Sequence, residues 1–217
     1  MDDVTSPKSP YHKGDLPERL LSAAETELET HGMEAFSLRK VAKRAGVSHA
    51  APAHHFGDAA GVLTALATAG FRRLLVFQEE AEARAAQDAR SQLIASGCGY
   101  VRFALAHPAL FRLMFSSWRP NTGDAALSET ASQAFQHLVE RVTASAGKAP
   151  SPVELMAVWS VAHGLADLMI NGKAKTLAAL YDVHGERAIE AVLRAGIGGE
   201  SLDIDPPDPC PEPPANP

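Results

Sequence analysis

The chain has 217 residues, of which 46% are hydrophobic, and carries a formal net charge of −6 at pH 7. This length and composition allow one small and one medium domain of a soluble protein, while the net acidity excludes a protein coated over its whole surface by nucleic acid. Two cysteines, Cys98 and Cys210, give no disulfide framework. We expect neither a secretion signal nor a membrane span, and therefore a cytoplasmic location.

Residues 1–14 are polar and contain two prolines, which predicts a flexible arm. The first helix is predicted to begin at Asp15, with Pro17 near its first helical position, and to end at Gly32. Its apolar residues recur at helical spacing and predict one buried face: Leu20, Leu21, Ala24 and Leu28.

Residues 37–56 predict two short helices joined by a turn. Ser37 is placed to cap the first helix, Gly46 to end it in a left-handed turn, and Ser48 to cap the second. The segment contains no acidic residue, and its four cations lie mostly on the outward face of the first helix: Arg39, Lys40, Lys43 and Arg44. This arrangement is typical of a helix-turn-helix.

A basic surface next to a helix N-terminus favours DNA binding, because the duplex carries about one negative charge per 1.7 Å of its axis. The exposed residues at the start of the second helix are predicted to be His49, Ala50 and Ala51. The alternative interpretation is a helical hairpin with a solvated basic face. The turn at Gly46 favours the helix-turn-helix over this alternative.

The rest of the chain keeps a helical pattern and shows no alternating strand pattern, which predicts an all-α fold. We expect a three-helix head over residues 15–65 and a larger helical domain over 66–198. Gly57-Asp58 predicts a turn and a helix cap, and a long helix from Ala59 to the mid-80s would join the head to the larger domain. Later helices are predicted at about 88–106, 108–116, 124–146, 151–171 and 175–196. Residues 199–217 hold seven prolines and five acidic residues, which predicts a disordered tail.

The N-terminal third, about residues 17–66, resembles the tetracycline-repressor (TetR) family of bacterial transcription regulators. The residues that carry this resemblance are Ala23-Ala24, Gly32, Ser37-Leu38-Arg39, Val41-Ala42, Ala45-Gly46-Val47-Ser48 and His55-Phe56. The resemblance implies a dimer that binds an operator, with a variable helical domain that releases DNA when a small ligand enters it.

The resemblance also implies roles for individual residues. Ser37 and Arg39 look like contacts to the DNA backbone, and His49 to Ala51 look like residues that face the groove. The full expected DNA-binding set is Ser37, Arg39, Lys40, Ser48, His49, Ala50, Ala51, His54 and His55. Two positions depart from the family pattern, because Ala53 replaces a usual tyrosine and Ala59 a usual lysine. Both changes are expected to weaken the grip on phosphates, and His54 offers a replacement donor without a full charge near pH 7.

The C-terminal half resembles the subgroup marked by a tryptophan and a His-Gly pair. These residues are Trp159 and His163-Gly164, preceded by His107-Pro108 and an aromatic segment. They indicate a pocket for a small apolar or aromatic effector, with the expected lining Phe103, Phe111, Met114, Phe115, Trp118, Trp159 and His163. The alternative is that each of these residues is ordinary core, with His163 bonded to a neighbour.

A homodimer is expected through the last two predicted helices, 151–171 and 175–196. Their apolar residues suit a seam of two helices from each subunit: Ala157, Val161, Ala166, Leu168, Met169, Ile189, Val192 and Leu193. Two heads held in this way could reach successive major grooves, roughly 34 Å apart.

Two other classes of function compete with a regulator. An enzyme would rest on His49, His54, His55 and Asp58 as metal ligands, but no two of these histidines have the i, i+4 spacing of a helical metal site, and no phosphate-binding glycine loop occurs. We therefore expect no enzyme, no metal and no cofactor. The other alternative is a dimeric module that binds a ligand or partner and has lost operator binding through Ala53 and Ala59.

Overall fold

The computed structural model describes residues 16–115, 120–172 and 174–198. All regular structure in these ranges is helical, which confirms the predicted all-α fold. The predicted arm, the predicted tail and Trp118 lie outside the described residues. The ten helices of these ranges are α1 (Leu16–His31), α2 (Leu38–Ala45), α3 (Ala51–Phe56), α4 (Ala59–Arg84), α5 (Ala89–Ala106), α6 (Pro108–Met114), α7 (Ala125–Ala146), α8 (Pro152–Ile170), α9 (Lys175–His184) and α10 (Glu186–Gly198).

Helices α1 to α3 form the head. Leu20 and Leu28 of α1 are fully buried and belong to the same cluster as Val41 of α2. Arg19 donates a hydrogen bond of 2.7 Å from Nη2 to the carbonyl of Ala45, the last residue of α2. These contacts fix the angle between α1 and α2, and so orient the basic face of α2.

The turn between α2 and α3 forms at Gly46, as predicted, with φ +67°. The N–H of Val47 donates to the carbonyl of Ala42 at 3.0 Å and closes the helix end. Ser37 is the N-cap residue of α2, as predicted, but its side chain accepts no capping bond. The predicted cap at Ser48 is wrong, because α3 begins after Ala50 and Ser48 only accepts, through its backbone carbonyl, from the N–H of Ala51.

Aspartate caps set the start of three longer helices. Asp58, Asp88 and Asp124 each accept a hydrogen bond from the backbone N–H three residues later, at 2.8 to 2.9 Å. The cap at Asp58 agrees with the sequence prediction and starts α4, which runs as one helix of 26 residues. This helix packs against α1, α3, α5, α6 and α7.

The hydrophobic core is continuous from the head to the end of the chain. One cluster of buried residues joins Leu20 and Val41 in the head to Leu66 of α4, Val101 of α5 and Ile189 of α10. The head is therefore a part of a single packed body, and α4 and α6 form the boundary on which α1 rests.

The predicted helix over 175–196 is in fact two helices. It breaks at Gly185, where φ is +57° and the N–H donates to the carbonyl of Tyr181 at 2.7 Å. The apolar spacing continues through this glycine, so the break is not visible as a change of period. Helix α10 then turns back to pack on α5 and α8.

Helices α4 and α8 are both long and apolar enough to cross a membrane by length and composition, as core helices of soluble proteins also are. They differ in burial. In the most apolar segment of α4, 50% is buried inside the chain, whereas in that of α8 only 22% is buried. Helix α8 therefore leaves an apolar face uncovered within this chain.

Candidate DNA-binding surface and ligand cavity

The outward side of the head carries the predicted DNA-binding residues. All four cations of α2 are exposed: Arg39, Lys40, Lys43 and Arg44. His49 and Ala50 are exposed in the turn before α3, while Ser37 and Ala51 are half-buried. His54 and His55 are exposed on α3, with ring centroids 5.3 Å apart. Since α3 contains no lysine or arginine, α2 supplies the full positive charges of this surface among the described residues.

Besides its predicted role in DNA binding, Lys40 forms an ion pair inside the head, which the sequence analysis missed. Its Nζ lies 3.4 Å from Oε1 of Glu27, whose side chain is only 1% exposed, and His31 lies 3.2 Å from the other carboxylate oxygen. Lys40 therefore compensates a buried carboxylate at the junction of α1 and α2. The burial of Glu27 could have been predicted from the sequence, because Glu27 stands three residues after Ala24 on the apolar face of α1.

A cavity of about 220 Å³ lies between α4, α5, α7 and α8. Most of its wall is apolar and comes from Phe71, Leu74, Leu93, Phe115, Phe135 and Leu138. Its polar side chains are Gln78, Ser96, Tyr100 and Trp159, and no charged side chain lines it among the described residues.

The structure places only part of the predicted pocket lining at this cavity. Phe115 and Trp159 line it, whereas Phe103, Phe111 and Met114 are buried in the adjoining core. Sequence reasoning missed the contributions of α4 and α7. Gln78 was detectable, since it is a polar residue four positions after Leu74 on the buried stripe of α4.

His163 does not line the cavity but holds one of its walls. Its Nδ1 lies 2.7 Å from the hydroxyl of Tyr100, and its ring stacks on Phe111 with centroids 5.2 Å apart. Burial lowers the pKa of His163, against an opposing effect of the Asp167 charge, and burial raises the pKa of Tyr100 well above its usual range. Both groups are therefore neutral at pH 7.

A buried ionic network lies behind the polar part of the cavity wall. Oε1 of Glu82 on α4 is 2.7 Å from Nε2 of His137 on α7, and its other oxygen is 3.6 Å from Arg141. Burial alone would raise the pKa of Glu82. Hydrogen bonds from His137 and Ser96, with the charges of His137 and Arg141, bring it below its ordinary value of 4.5.

These pKa shifts predict a loss of stability on acidification in two steps. The pKa values of His107 and His163 are lowered from 6.5, mainly by burial, so the unfolded chain binds their protons first and stability falls below about pH 6.5. Glu82 binds its proton more readily when unfolded, so its contribution is lost as the pH falls below 4.5. Urea unfolding of Glu82→Gln should show about 1–3 kcal/mol less stability at pH 7 and a much smaller loss below pH 4.5.

Glu80→Gln is the matched control, because Glu80 is exposed on the same helix and pairs with the exposed Arg84 at 3.6 Å. It should reproduce the wild-type pH profile. A Glu82→Gln profile parallel to that of the wild type down to acid pH would contradict the assigned role of this carboxylate.

Two glutamates of α1 connect the head to the cavity-bearing body. Glu25 forms a two-pronged ion pair with Arg73 of α4 and lies 3.2 Å from His107. Glu29 accepts hydrogen bonds of 3.2 to 3.3 Å from the backbone N–H groups of Ala109 and Leu110. These two N–H groups are at the start of α6, where a carboxylate is favoured by the helix dipole. Helix α6 leads directly to Phe115 at the cavity.

The residues proposed for a metal site in the enzyme alternative do not form one. Among the described residues, no group of three or more histidine, cysteine, aspartate or glutamate side chains is placed to hold a metal ion. His49, His54, His55 and Asp58 are all exposed on the head.

Two family profiles match the sequence. One is described as "Bacterial regulatory proteins, tetR family" and covers residues 20–66, which span α1 to the first part of α4. The other is described as "Tetracyclin repressor-like, C-terminal domain" and covers residues 93–195. No curated protein matches the sequence.

Solved structures share the fold over most of the chain. A protein of unknown function from Rhodococcus sp. RHA1 is 32% identical with a TM-score of 0.73, and the match covers 90% of this chain and 100% of that one. PfmR, a TetR family transcriptional regulator from Thermus thermophilus, is 18% identical with a TM-score of 0.58, over 86% of this chain and 100% of its own. A TetR-like transcriptional regulator from Rhodococcus sp. RHA1 is 16% identical with a TM-score of 0.58, over 88% and 100%.

The two profiles together take in the helix-turn-helix head and most of the helical body. The solved structures below 25% identity support the fold alone, and that fold has the same order of head and body. With the exposed basic face of α2 and the turn at Gly46, these findings have one explanation. The chain belongs to the TetR family and is a DNA-binding transcriptional regulator.

Proposed function

We propose that this regulator is a cytoplasmic repressor that binds a palindromic operator as a dimer and is released by a small apolar or aromatic effector. The observation that carries the proposal is the path from the cavity to the head. Phe115 lines the cavity, it directly follows α6, and the start of α6 is held by Glu29 of α1. A ligand that moves Phe115 therefore acts on the element on which the head rests.

The DNA contacts divide between two helices of the head. We assign Arg39, with Ser37 and Lys40, to the phosphates, and the exposed residues around the start of α3 to the major groove, with Ser48 beside them. His54 and His55 extend this surface along α3. Because α3 brings no lysine or arginine, the salt dependence of binding should come mainly from α2.

The link between effector and DNA needs only modest energy. A coupling of about 1–3 kcal/mol changes operator affinity between roughly 5-fold and 150-fold. Displacement of α6 would disturb the two hydrogen bonds that its first N–H groups donate to Glu29 of α1. A shift of α4 would likewise reach α1, through the ion pair between Arg73 and Glu25. Both connections end on α1, which orients α2.

A gel shift with the promoter fragment beside the protein's own gene, run at several salt concentrations, tests operator binding. We expect a sequence-specific complex that weakens steeply with salt, because bound phosphates release counterions. Arg39→Ala should lower affinity about 5–10-fold for all sequences alike and make the salt slope shallower by about one unit. Arg84→Ala is the control, since it removes an exposed arginine at the far end of α4. If Arg39→Ala instead changed which DNA sequences are preferred and left the overall affinity for DNA unchanged, Arg39 would not be a phosphate contact.

One observation favours a second candidate function, a helical module that binds a ligand or partner without an operator. Ala53 is exposed and Ala59 half-buried at the positions where the family usually has tyrosine and lysine. Absence of any retarded band at low salt, or retardation that does not depend on sequence, would favour this candidate over the repressor.

The dimer seam is assigned mainly to α8. Its uncovered apolar side chains are Val153, Met156 and Leu168, exposed by 77%, 41% and 43%. Gly164 has room for a methyl group beside this face. Helix α10 contributes less than its sequence indicates, because Ile189 and Leu193 are fully buried within their own subunit, and so is Ala166 of α8.

Val153→Glu combined with Met156→Glu should therefore produce a monomer, because charges in an apolar seam lose their hydration. Light scattering coupled to size-exclusion chromatography measures this directly. Val76→Glu on α4 is the matched control, since Val76 is 48% exposed on a helix outside the proposed seam. If the double variant dimerised with the same dissociation constant as the wild type, the dimer interface would have to lie on another surface.

A further inference from the structure

We propose that the effector is an uncharged alkylbenzene, a single aromatic ring that carries a linear hydrocarbon chain of about three or four carbons. This inference rests on the proposed function, in which the cavity between α4, α5, α7 and α8 binds the effector. It adds the size and charge of that molecule, and it assigns the ring and the chain to opposite ends of the cavity.

The cavity lies where two separate hydrophobic clusters meet. The first is the main core, whose part of the cavity wall consists largely of rings: Phe71, Tyr100, Phe115 and Trp159. The second is a smaller cluster shared by α5, α7 and α8, which supplies Leu93, Leu138 and Val158. Ile197 of α10 packs against both clusters and also lines the cavity. A bound molecule would therefore touch two surfaces that differ in kind.

Phe115 is the centre of the aromatic end. The centroid of its ring lies 5.7 Å from that of Phe71, 6.2 Å from that of Tyr100 and 6.1 Å from that of Trp159. Phe71 and Phe115 meet edge to face, with an angle of 76° between their planes. Aromatic rings gain free energy from such contacts beyond the area that they bury. This end of the cavity therefore favours an aromatic ring over a saturated ring of the same size.

The opposite end is aliphatic. Among the described residues, the smaller cluster and Ile197 bring only branched aliphatic side chains to the wall, and a hydrocarbon chain can pack against these by dispersion alone. The volume limits the length of that chain. The cavity of about 220 Å³ is about half as large again as the roughly 150 Å³ that holds benzene, which leaves space for about three or four further carbons.

The polar side chains of the wall bond to one another. Nε2 of Gln78 donates to Oγ of Ser96 at 3.0 Å, and Nε1 of Trp159 donates to the hydroxyl of Tyr100 at 3.4 Å. The amide oxygen of Gln78 is closed off from the cavity. No charged side chain lines the cavity among the described residues, so an ionised group would lose its hydration without gaining a partner. The wall therefore favours a hydrocarbon.

A series of alkylbenzenes tests the size of the effector. Tryptophan fluorescence of the full-length protein, to which Trp159 in the cavity wall contributes, gives the dissociation constants. From toluene to n-butylbenzene we expect about fourfold tighter binding for each added methylene. n-Hexylbenzene should bind no more tightly than n-butylbenzene, because the cavity is then full. An increase that continues unchanged to n-hexylbenzene is the result of non-specific partitioning and would overturn the inference.

Two compounds matched to n-butylbenzene test the ring and the charge. n-Butylcyclohexane has the same number of carbons without an aromatic ring, and it should bind about 2–10-fold more weakly although it is the more hydrophobic of the two. 4-Phenylbutyrate places a carboxylate at the end of a chain of the same length, and it should bind at least about tenfold more weakly. Binding of either compound as tight as that of n-butylbenzene would contradict the assignment.

Two substitutions test which end of the cavity holds the ring. Phe115→Leu should abolish the preference for n-butylbenzene over n-butylcyclohexane and leave the gain per methylene unchanged. Leu138→Ala removes three carbons from the aliphatic end, so n-hexylbenzene should then bind about fourfold or more tightly than n-butylbenzene. Phe36→Leu and Leu105→Ala make the same changes outside the cavity lining and should keep the wild-type series.

A ring preference that survives in folded Phe115→Leu, or a series that still ends at n-butylbenzene in folded Leu138→Ala, would reverse the assigned orientation. The wild-type series decides the size and the charge even if a variant does not fold. Operator binding is decided separately by the gel shift. A protein that shows this series but retards no DNA would keep the ligand assignment and lose the repressor function, whereas a repressor that binds no alkylbenzene would lose this inference alone.

Discussion

Replacement of Gly61 by alanine should lower operator affinity at least tenfold and destabilise the head by about 1–3 kcal/mol or more. A Cβ at Gly61 would collide with the carbonyl oxygen of Phe56, the last residue of α3. That atom is part of the backbone, so a side-chain rotation cannot relieve the clash, and α3 must shift relative to α4. The N–H of Gly61 also donates to the Asp58 cap at 2.8 Å, and this bond would be strained by the same shift.

The gel shift measures the effect on DNA, and circular dichroism during thermal unfolding measures the effect on stability. Ala60→Ser is the matched control, because Ala60 is exposed one residue earlier on the same turn. It should behave as the wild type in both assays. Wild-type operator affinity in Gly61→Ala would mean that the position of α3 is not essential for DNA binding.

Gly99→Ala should destabilise the whole protein rather than the head. The added Cβ would lie 2.5 Å from the carbonyl oxygen of Phe77 and 2.6 Å from Cα of Gln78. Both atoms belong to the backbone of α4, so α4 and α5, the pair of helices with the most extensive contact, would have to separate at this point. The expected cost is about 1–3 kcal/mol, which for a chain of this size lowers Tm by roughly 2–12 °C.

Differential scanning calorimetry gives this shift directly. Gly97→Ala is the matched control on the same helix, since its Cβ would meet only the side chain of Leu193, with the terminal methyl nearest at 3.1 Å. This flexible side chain can move aside, so Gly97→Ala should change Tm by no more than a few degrees. Equal values of Tm for the two variants would show that the helices can separate at Gly99 without loss of packing.

Features determined by a few neighbouring residues were predictable from the sequence. The helix-turn-helix followed from the cations of α2 and the left-handed turn at Gly46, and the start of α4 followed from the Asp58 cap. The N-cap position of Ser37 was predicted, but the missing bond from its hydroxyl and the start of α3 after Ala50 instead of Ser48 were not, because the preference of serine for the N-cap does not determine whether its hydroxyl reaches a backbone N–H.

Features that depend on distant parts of the chain were missed. The contact between Lys40 and Glu27 joins two helices, and the cavity wall combines Gln78, Ser96 and Trp159 from three. Apolar spacing identifies which residues are buried but not which of them face an empty space. The predicted pocket residues Phe103 and Phe111 illustrate this point, since both are buried in solid core beside the cavity.

The uninterrupted packing from Leu20 to Ile189 has a consequence for the construction of hybrid regulators. If the DNA-binding head of another regulator were joined to this chain near Ala59, Glu25 and Glu29 would be replaced, while Arg73 and the start of α6 would stay in place. In such a chimera Arg73 would lose its carboxylate partner, and the N–H groups at the start of α6 would lose their acceptor. Successful exchange of specificity therefore requires transplanting the outward residues of α2 and α3 alone.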